Sequence, residues 1–254
     1  NIRVNSIFKI PNLTPFSGDV GKHLREFLTN HQNMAIKNNN SSCKHKFYRD
    51  LKLEYVDWEV ETLFIGTFNP GCCKKNENSA EWFYGRTQNN MFWNTLGFIY
   101  SINPTLGDTR NVEIWMSFCK KHKIAVTDLI YEVENLDLIN GTDQNDLCKG
   151  FSDSKLENFI RQEKTISNEV EILIQNSQKL KKLKCVYLTR RGTNKPWNIL
   201  WNPIKLVCRN RKIYTAPLTT PGGYNYFQFN NDYPRTPENL SDIWINRNGM
   251  RICQ

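Results

Sequence analysis

The chain has 254 residues, a formal net charge of +9, 39% hydrophobic residues and 23% charged residues. That length buries a full core, so one domain with a modest extension is the expected organisation. No apolar run approaches the roughly 20 residues needed to cross a bilayer, and the first residues lack the basic and apolar segments of a secretory signal, so neither membrane insertion nor export is expected.

Residues 1 to 57 read as a partly helical N-terminal extension ahead of a domain at 58 to 254. Within the extension, Lys22 to Leu28 has a helical pattern, and Asn38 to Lys46 reads as an exposed polar loop. Thr62 to Ile65 is the first buried strand. It ends in Gly66, and Thr67-Phe68-Asn69-Pro70-Gly71 follows at once. The aromatic pair Phe83-Tyr84 comes next, then a buried helix from about Asn90 through Ile99. Asn111 to Phe118 is a second helix, with Asp108 or Thr109 as its expected cap. Ile124 to Leu129 reads as a second buried strand. Ser152 to Leu180 reads as a long helical region, with apolar positions at Leu156, Phe159, Ile160, Ile166, Val170, Leu173 and Ile174. Cys185 to Leu188 and Lys212 to Thr215 complete the strands. Strands separated by helical stretches predict βαβ units and a parallel sheet with helices on both faces.

In such a sheet the carboxyl ends of the strands share one edge, where open α/β sheets place their ligands. Each predicted strand runs into polar residues there: Gly66 to Gly71, then Asp128 with Tyr131-Glu132, then Thr189-Arg190-Arg191-Gly192, then Ala216-Pro217-Leu218-Thr219-Thr220-Pro221-Gly222-Gly223-Tyr224. Aromatics beside the first loop suit a planar base, and Asn69 suits a water or polar group.

Charge is unevenly distributed. No acidic residue lies between Glu171 and Asp232, a stretch that holds eleven Lys and Arg; the remainder carries 23 basic against 25 acidic residues. Such a block predicts a polyanion-binding face. The interleaved Tyr187, Trp197, Trp201 and Tyr214 favour nucleic acid over membrane. The eight cysteines are scattered without a CxxC pair, so mostly buried free thiols in a reducing compartment such as the cytoplasm are expected. Adjacent Cys72 and Cys73 are not expected to share a metal.

The segments Gly66 to Gly71 and Asn90-Met91-Phe92-Trp93 together resemble the first motif region of the uracil-DNA glycosylase superfamily. They are most similar to its mismatch-specific uracil/thymine branch, with GINPG and NRFW, and to its hypoxanthine branch, with an aromatic pair before NxFW. Lys123 to Ile130 is similar to the second strand of the hypoxanthine branch, and Leu218 to Pro221 sits where the family carries HPSP. The resemblance covers about Thr62 to Tyr226. It implies an α/β/α sandwich on a four-stranded, mostly parallel sheet. It also implies a monomeric, metal-free and cofactor-free DNA glycosylase that flips a nucleotide from the stack and hydrolyses its N-glycosidic bond. Some superfamily members hold an iron–sulfur cluster through four cysteines; the scatter here does not match, and none is expected.

Carried onto this sequence, the resemblance makes Asn69 the residue that holds the water and Asp128 the one that orients a base edge. Thr67 and Phe68 are alternatives for the water-facing slot. Phe83 or Tyr84 would stack on the base, and Asn90 would cap its helix or touch the base. Arg190, Arg191, Lys195, Thr219, Thr220, Gly222 and Tyr224 form the candidate DNA-binding set, with Tyr224 or Tyr226 filling the gap left by a flipped nucleotide. The sequence departs from the family twice. GTFNPG has one more residue between Gly and Asn than GINPG, and Leu218 stands where the family has His. Three functions follow as alternatives: a glycosylase for uracil, hypoxanthine or a related deaminated base; one for a bulky modified base such as a hydroxymethylated or glucosylated cytosine of phage DNA; or a non-catalytic nucleic-acid-binding module.

Overall fold

A computed structural model describes residues 41–73, 80–85, 90–101, 105–137, 141–149, 151–190, 196–222 and 232–253. All belong to one compact unit, Ser41–Gln254. The predicted helix at Lys22 to Leu28 lies outside the described residues, as do Arg191, Lys195, Tyr224 and Tyr226.

Among the described residues, four parallel strands form the central sheet: β2 (Thr62–Gly66), β3 (Ile124–Asp128), β6 (Cys185–Leu188) and β7 (Tyr214–Pro217), in the order β3-β2-β6-β7. The strand positions match the sequence reading closely. The last is shifted, because Lys212 takes a left-handed φ of 59° and pairing starts at Tyr214. Register places Gly66 beside Asp128 and Leu188 beside Pro217, so the four polar loops do leave from one edge.

Side chains alternate across β2, β3 and β6 into two separate cores. Leu63, Ile65, Ala125, Val186 and Leu188 pack on one side with α4 (Asp153–Arg161), α5 (Val170–Asn176) and α6 (Trp197–Asn210). Phe64, Val126, Cys185 and Tyr187 pack on the other with α1 (Phe92–Ile99), α2 (Val112–Lys121) and α7 (Pro237–Asp242). Every residue of β2, β3 and β6 is buried, as expected of parallel strands covered on both faces. The expected three-layer α/β/α sandwich is the architecture of the molecule.

Four local readings are corrected. Asn111, not Asp108 or Thr109, caps α2, its Oδ1 accepting the N–H groups of Glu113 and Ile114 at 2.9 and 3.4 Å. The region 152–180 is not one helix: α4 ends, β5 (Thr165–Ser167) follows, and α5 begins again. Glu163 and Glu169 take left-handed φ of 56° and 53° at the two breaks. Between them the buried Asn168 donates to the main-chain oxygens of Leu51 and Asp128 and to Thr127 Oγ1, contacts no helix pattern predicts. The loop expected at 38–46 contains β1 (Cys43–Lys44), which pairs antiparallel with β4 (Ile130–Val133), and β4 pairs with β5. These three make a small second sheet beside the carboxyl edge of the first.

Residues on either side of the sequence-based boundary at 57 and 58 also finish the main sheet. Tyr55 Oη accepts from the Val126 N–H at 2.8 Å and donates to its carbonyl at 3.0 Å, and Trp58 Nε1 donates to the Ile124 carbonyl at 3.0 Å. Side chains thereby satisfy the open edge of β3, a position that otherwise invites pairing with another strand.

The fourth correction concerns the cysteines. Cys43 is bridged to Cys72 and Cys73 to Cys148, while Cys119, Cys185, Cys208 and Cys253 are free. The bridged residues lie far apart in sequence and meet because the His45–Pro70 pairing brings β1 against the loop after β2. α3 (Thr142–Cys148) delivers Cys148 to the same place.

Candidate active site

At the carboxyl ends of β2 and β3 two polar side chains converge on one carboxylate. Asn69 Nδ2 donates to Asp128 Oδ2 at 2.7 Å, and His45 Nε2 lies 2.8 Å from the same oxygen. All three residues are buried. The Phe47 N–H donates to His45 Nδ1 at 3.0 Å, so Nδ1 is the acceptor and Nε2 carries the proton given to Asp128. The ring is therefore a neutral imidazole of defined tautomer. Its orientation is held by Phe83, stacked at 5.6 Å and 29°, and by the edge contacts of Phe47 and Phe68.

Asp128 Oδ1 points over Gly66. A Cβ at Gly66 would stand 2.2 Å from that oxygen and 3.0 Å from Tyr84 Oη, so only glycine lets the carboxylate and the phenol occupy this spot. Tyr84 itself takes a φ of 59°, uncommon for an aromatic residue. It is held there by its hydroxyl, 2.9 Å from Thr189 Oγ1, and by its ring, stacked on Phe92 at 3.7 Å. Burial, reinforced by the Asp128 charge, pushes the Tyr84 pKa well up, so the group stays a neutral phenol able to donate a hydrogen bond.

Asn90 lies beside the loop after β7. Its Oδ1 accepts the Phe92 N–H at 3.0 Å in a turn that starts α1, and its Nδ2 is 3.5 Å from the Cβ position of Gly222. The Met91 N–H donates to the Pro221 carbonyl at 3.0 Å, closing the loop after β7 onto the start of α1. The aromatic loop is anchored from below by stacked Trp82, Trp93 and Trp115, and Trp93 Nε1 donates to the Phe83 carbonyl.

The structure thus brings Asn69, Asp128, Tyr84, Asn90 and Gly222 to one edge. Other predicted residues have different surroundings. Phe83 and Phe68 are fully buried against His45, leaving no ring face for a ligand. Thr67 is half-buried and donates to Asp153 Oδ1 at 3.0 Å. Thr219 is fully buried, with its N–H given to Asn248 Oδ1 and its carbonyl receiving Trp244 Nε1. Thr220 remains half-buried beside it. Leu218, in the motif His position, is fully buried in the second core. Arg190 pairs with Asp153 at 2.7 Å and with Glu157, and its guanidinium lies over Trp197 at 4.4 Å.

Nor does the basic stretch form one face. Lys182 and Lys184 precede β6 and pair with Glu59 and Glu61, which precede β2. Arg211 donates to the carbonyls of Ile174, Leu180 and Lys181 just before β7. These groups sit at the amino edge of the sheet, opposite the site. Strand direction divides a charge block that is continuous in sequence.

Three residues escaped the sequence reading: His45, and the C-terminal Trp244 and Asn248, which fix the loop after β7. His45 lies outside every strand-end loop, and nothing around it in sequence marks it. Only the pairing of β1 with β4 and Pro70 brings it in.

No family model matches the chain, and no curated protein matches it. Among solved structures it is similar to the solution NMR structure of a "putative Uracil DNA glycosylase" from Methanosarcina acetivorans, at 16% identity and a TM-score of 0.42, over 74% of this chain and 91% of that one.

Proposed function

We propose that the chain is a monofunctional DNA glycosylase whose reacting centre is Asp128 with Asn69, oriented by His45. The observation that most supports it is the convergence of Asn69 Nδ2 and His45 Nε2 on one oxygen of a buried carboxylate. Two donors occupy Oδ2 and leave Oδ1 as the oxygen directed over Gly66, toward the edge where a substrate would lie.

Hydrolysis of a nucleoside breaks the C1′–N bond, the base leaving with the bonding electrons, and forms a C1′–O bond to water. The sugar passes through an oxocarbenium-like state. A carboxylate held in a low-dielectric pocket stabilises that positive charge, and its Oδ1 accepts a proton of the incoming water. Asn69, its amide turned by the Asp128 contact, orients the water beside it. The Tyr84 phenol is a neutral donor to the departing base, and Asn90 and Gly222 line the approach. Leu218, which stands in the position of the family's motif His, is buried in the core and does not take that role. A base whose departure needs little help, or one bound by Tyr84, fits this site better than a fast uracil specialist would. Thr220, Gly222, Arg191, Lys195 and Tyr224 remain candidates for holding the DNA strand.

The test uses oligonucleotides carrying uracil, hypoxanthine, hydroxymethylcytosine or its glucosylated form, with abasic sites cleaved by alkali. Strand breaks on the deaminated bases support excision of deamination damage; breaks confined to the cytosine derivatives support a modified-base enzyme. Salt-sensitive binding with no product on any substrate would overturn the catalytic reading in favour of a binding module. In an active protein, Asn69→Ala abolishes turnover while DNA affinity stays within a few-fold.

A further inference from the structure

Three cysteine sulfurs gather beside the Asn69 loop, and a fourth is bonded to one of them. The Cys72, Cys73 and Cys148 sulfurs all lie within 4.8 Å of one another, and Cys43 is bonded to the first of them. Across the two bridges, Cys72 Sγ and Cys148 Sγ are 3.7 Å apart. A zinc ion held by four thiolates at about 2.3 Å has sulfur–sulfur edges of about 3.8 Å. A cluster giving each thiolate its own iron would hold the sulfurs farther apart. The Cys72 N–H donates to Cys43 Sγ at 3.2 Å, the kind of contact that stabilises charge on a ligating sulfur. Cys43 and Cys148 are fully buried, and Cys72 and Cys73 half-buried, so the point is shielded yet reachable.

We propose that, in the reduced chain, Cys43, Cys72, Cys73 and Cys148 form a structural tetrathiolate site for one zinc ion. The bridged and metal-bound forms are two states of the same four sulfurs. A dithiol reductant supplies the four electrons and four protons that open two bridges, and four protons are released as the thiolates take up the cation. No open coordination position is left, so the site is structural rather than catalytic. Its purpose follows from its place in the chain. Cys43 is two residues before His45 on the same strand face, and Cys72 is three residues after Asn69. One ion clamps β1, the loop after β2 and the end of α3, and so fixes the two residues that converge on Asp128. The Gly71 N–H already donates to the Lys44 carbonyl at 2.9 Å, and a Cβ at Gly71 would stand 2.7 Å from that oxygen, so the approach that closes the cluster depends on glycine. The inference does not depend on the glycosylase reading.

The test takes the full-length chain, reduced and metal-free, and titrates it with Co²⁺ and then Zn²⁺ under anaerobic conditions. One Co²⁺ per chain is expected, with the visible bands of tetrahedral cobalt and strong sulfur-to-cobalt charge transfer in the near ultraviolet, both abolished by one equivalent of Zn²⁺. Cys148→Ser weakens cobalt binding at least about 100-fold, while Cys208→Ser, remote from the cluster, leaves it unchanged. Absence of the charge-transfer band, equal affinity in Cys148→Ser, or bridges that resist the dithiol in the folded chain would each overturn the proposal. So would anaerobically purified protein that contains iron and sulfide in place of zinc.

Discussion

His45 and Asp128 are 83 residues apart in the chain and 2.8 Å apart in the fold. The histidine directly follows a two-residue strand of the small sheet and the aspartate ends a central strand, so this hydrogen bond links the two sheets at the carboxyl edge of the larger one.

Removing that bond should separate orientation from binding. His45→Ala leaves Asp128 Oδ2 with Asn69 alone, and a buried carboxylate short of one donor costs about 1–3 kcal/mol of stability. Urea unfolding reads that loss. Turnover should fall about 10- to 100-fold with DNA affinity nearly unchanged, as for other residues that hold a reacting group in place. Equal losses in affinity and turnover would instead mark His45 as a substrate contact.

Gly66→Ala probes the crowding over β2. The added methyl would meet Asp128 Oδ1 at 2.2 Å, so the carboxylate must turn away from its partners. About 1–3 kcal/mol of destabilisation is expected from overpacking, together with loss of turnover in the strand-break assay. A fully active Gly66→Ala protein would show that Oδ1 has no role at that position.

Leu218→His restores the family's motif residue in sequence but not in space. Leu218 is fully buried, and its N–H donates to the Leu188 carbonyl at 2.7 Å, so a histidine there is placed in an apolar core. The variant should lose about 2–4 kcal/mol of stability and gain no uracil excision. A gain of excision without loss of melting temperature would mean that residue 218 can swing out to the site.

Glu61, at the amino edge, gives a pH signature independent of catalysis. Hydrogen bonds from Lys123 and then Lys184 hold its carboxyl below the ordinary carboxylate range. A pKa depressed by folding contributes stability that is fully present above the unfolded value of about 4.3 and is lost as pH falls through the folded value. Wild type should therefore lose more stability than Glu61→Gln as pH drops below about 5. Parallel pH curves for the two proteins in chemical denaturation would show that the pair contributes nothing.

The central sheet was legible because its cause is local. Leu63-Phe64-Ile65, Ala125-Val126 and Val186-Tyr187-Leu188 are short apolar runs bounded by polar residues, and a strand buried on both faces needs little else. Their order in a βαβ alternation also predicts that Gly66, Asp128 and Thr189 end on one edge. The aromatic loop and Asn69 were visible by the same logic, as polar and turn-forming residues placed where a buried strand stops.

What the tertiary structure decided involves partners distant in sequence. The antiparallel pairing of β1 with β4 turns His45 into the third member of the Asn69–Asp128 centre and gathers four scattered cysteines into one cluster. The alternation of strand direction and helix return sends Lys182, Lys184 and Arg211 to one edge and Arg190 to the other, dividing a charge block that looked single. Backbone left-handed turns at Glu163 and Glu169, with Asn168 between them, break what an apolar repeat presents as one helix. Periodicity records which face of an element is buried; it carries no information about which other element will cover that face, and in this protein that pairing builds the site.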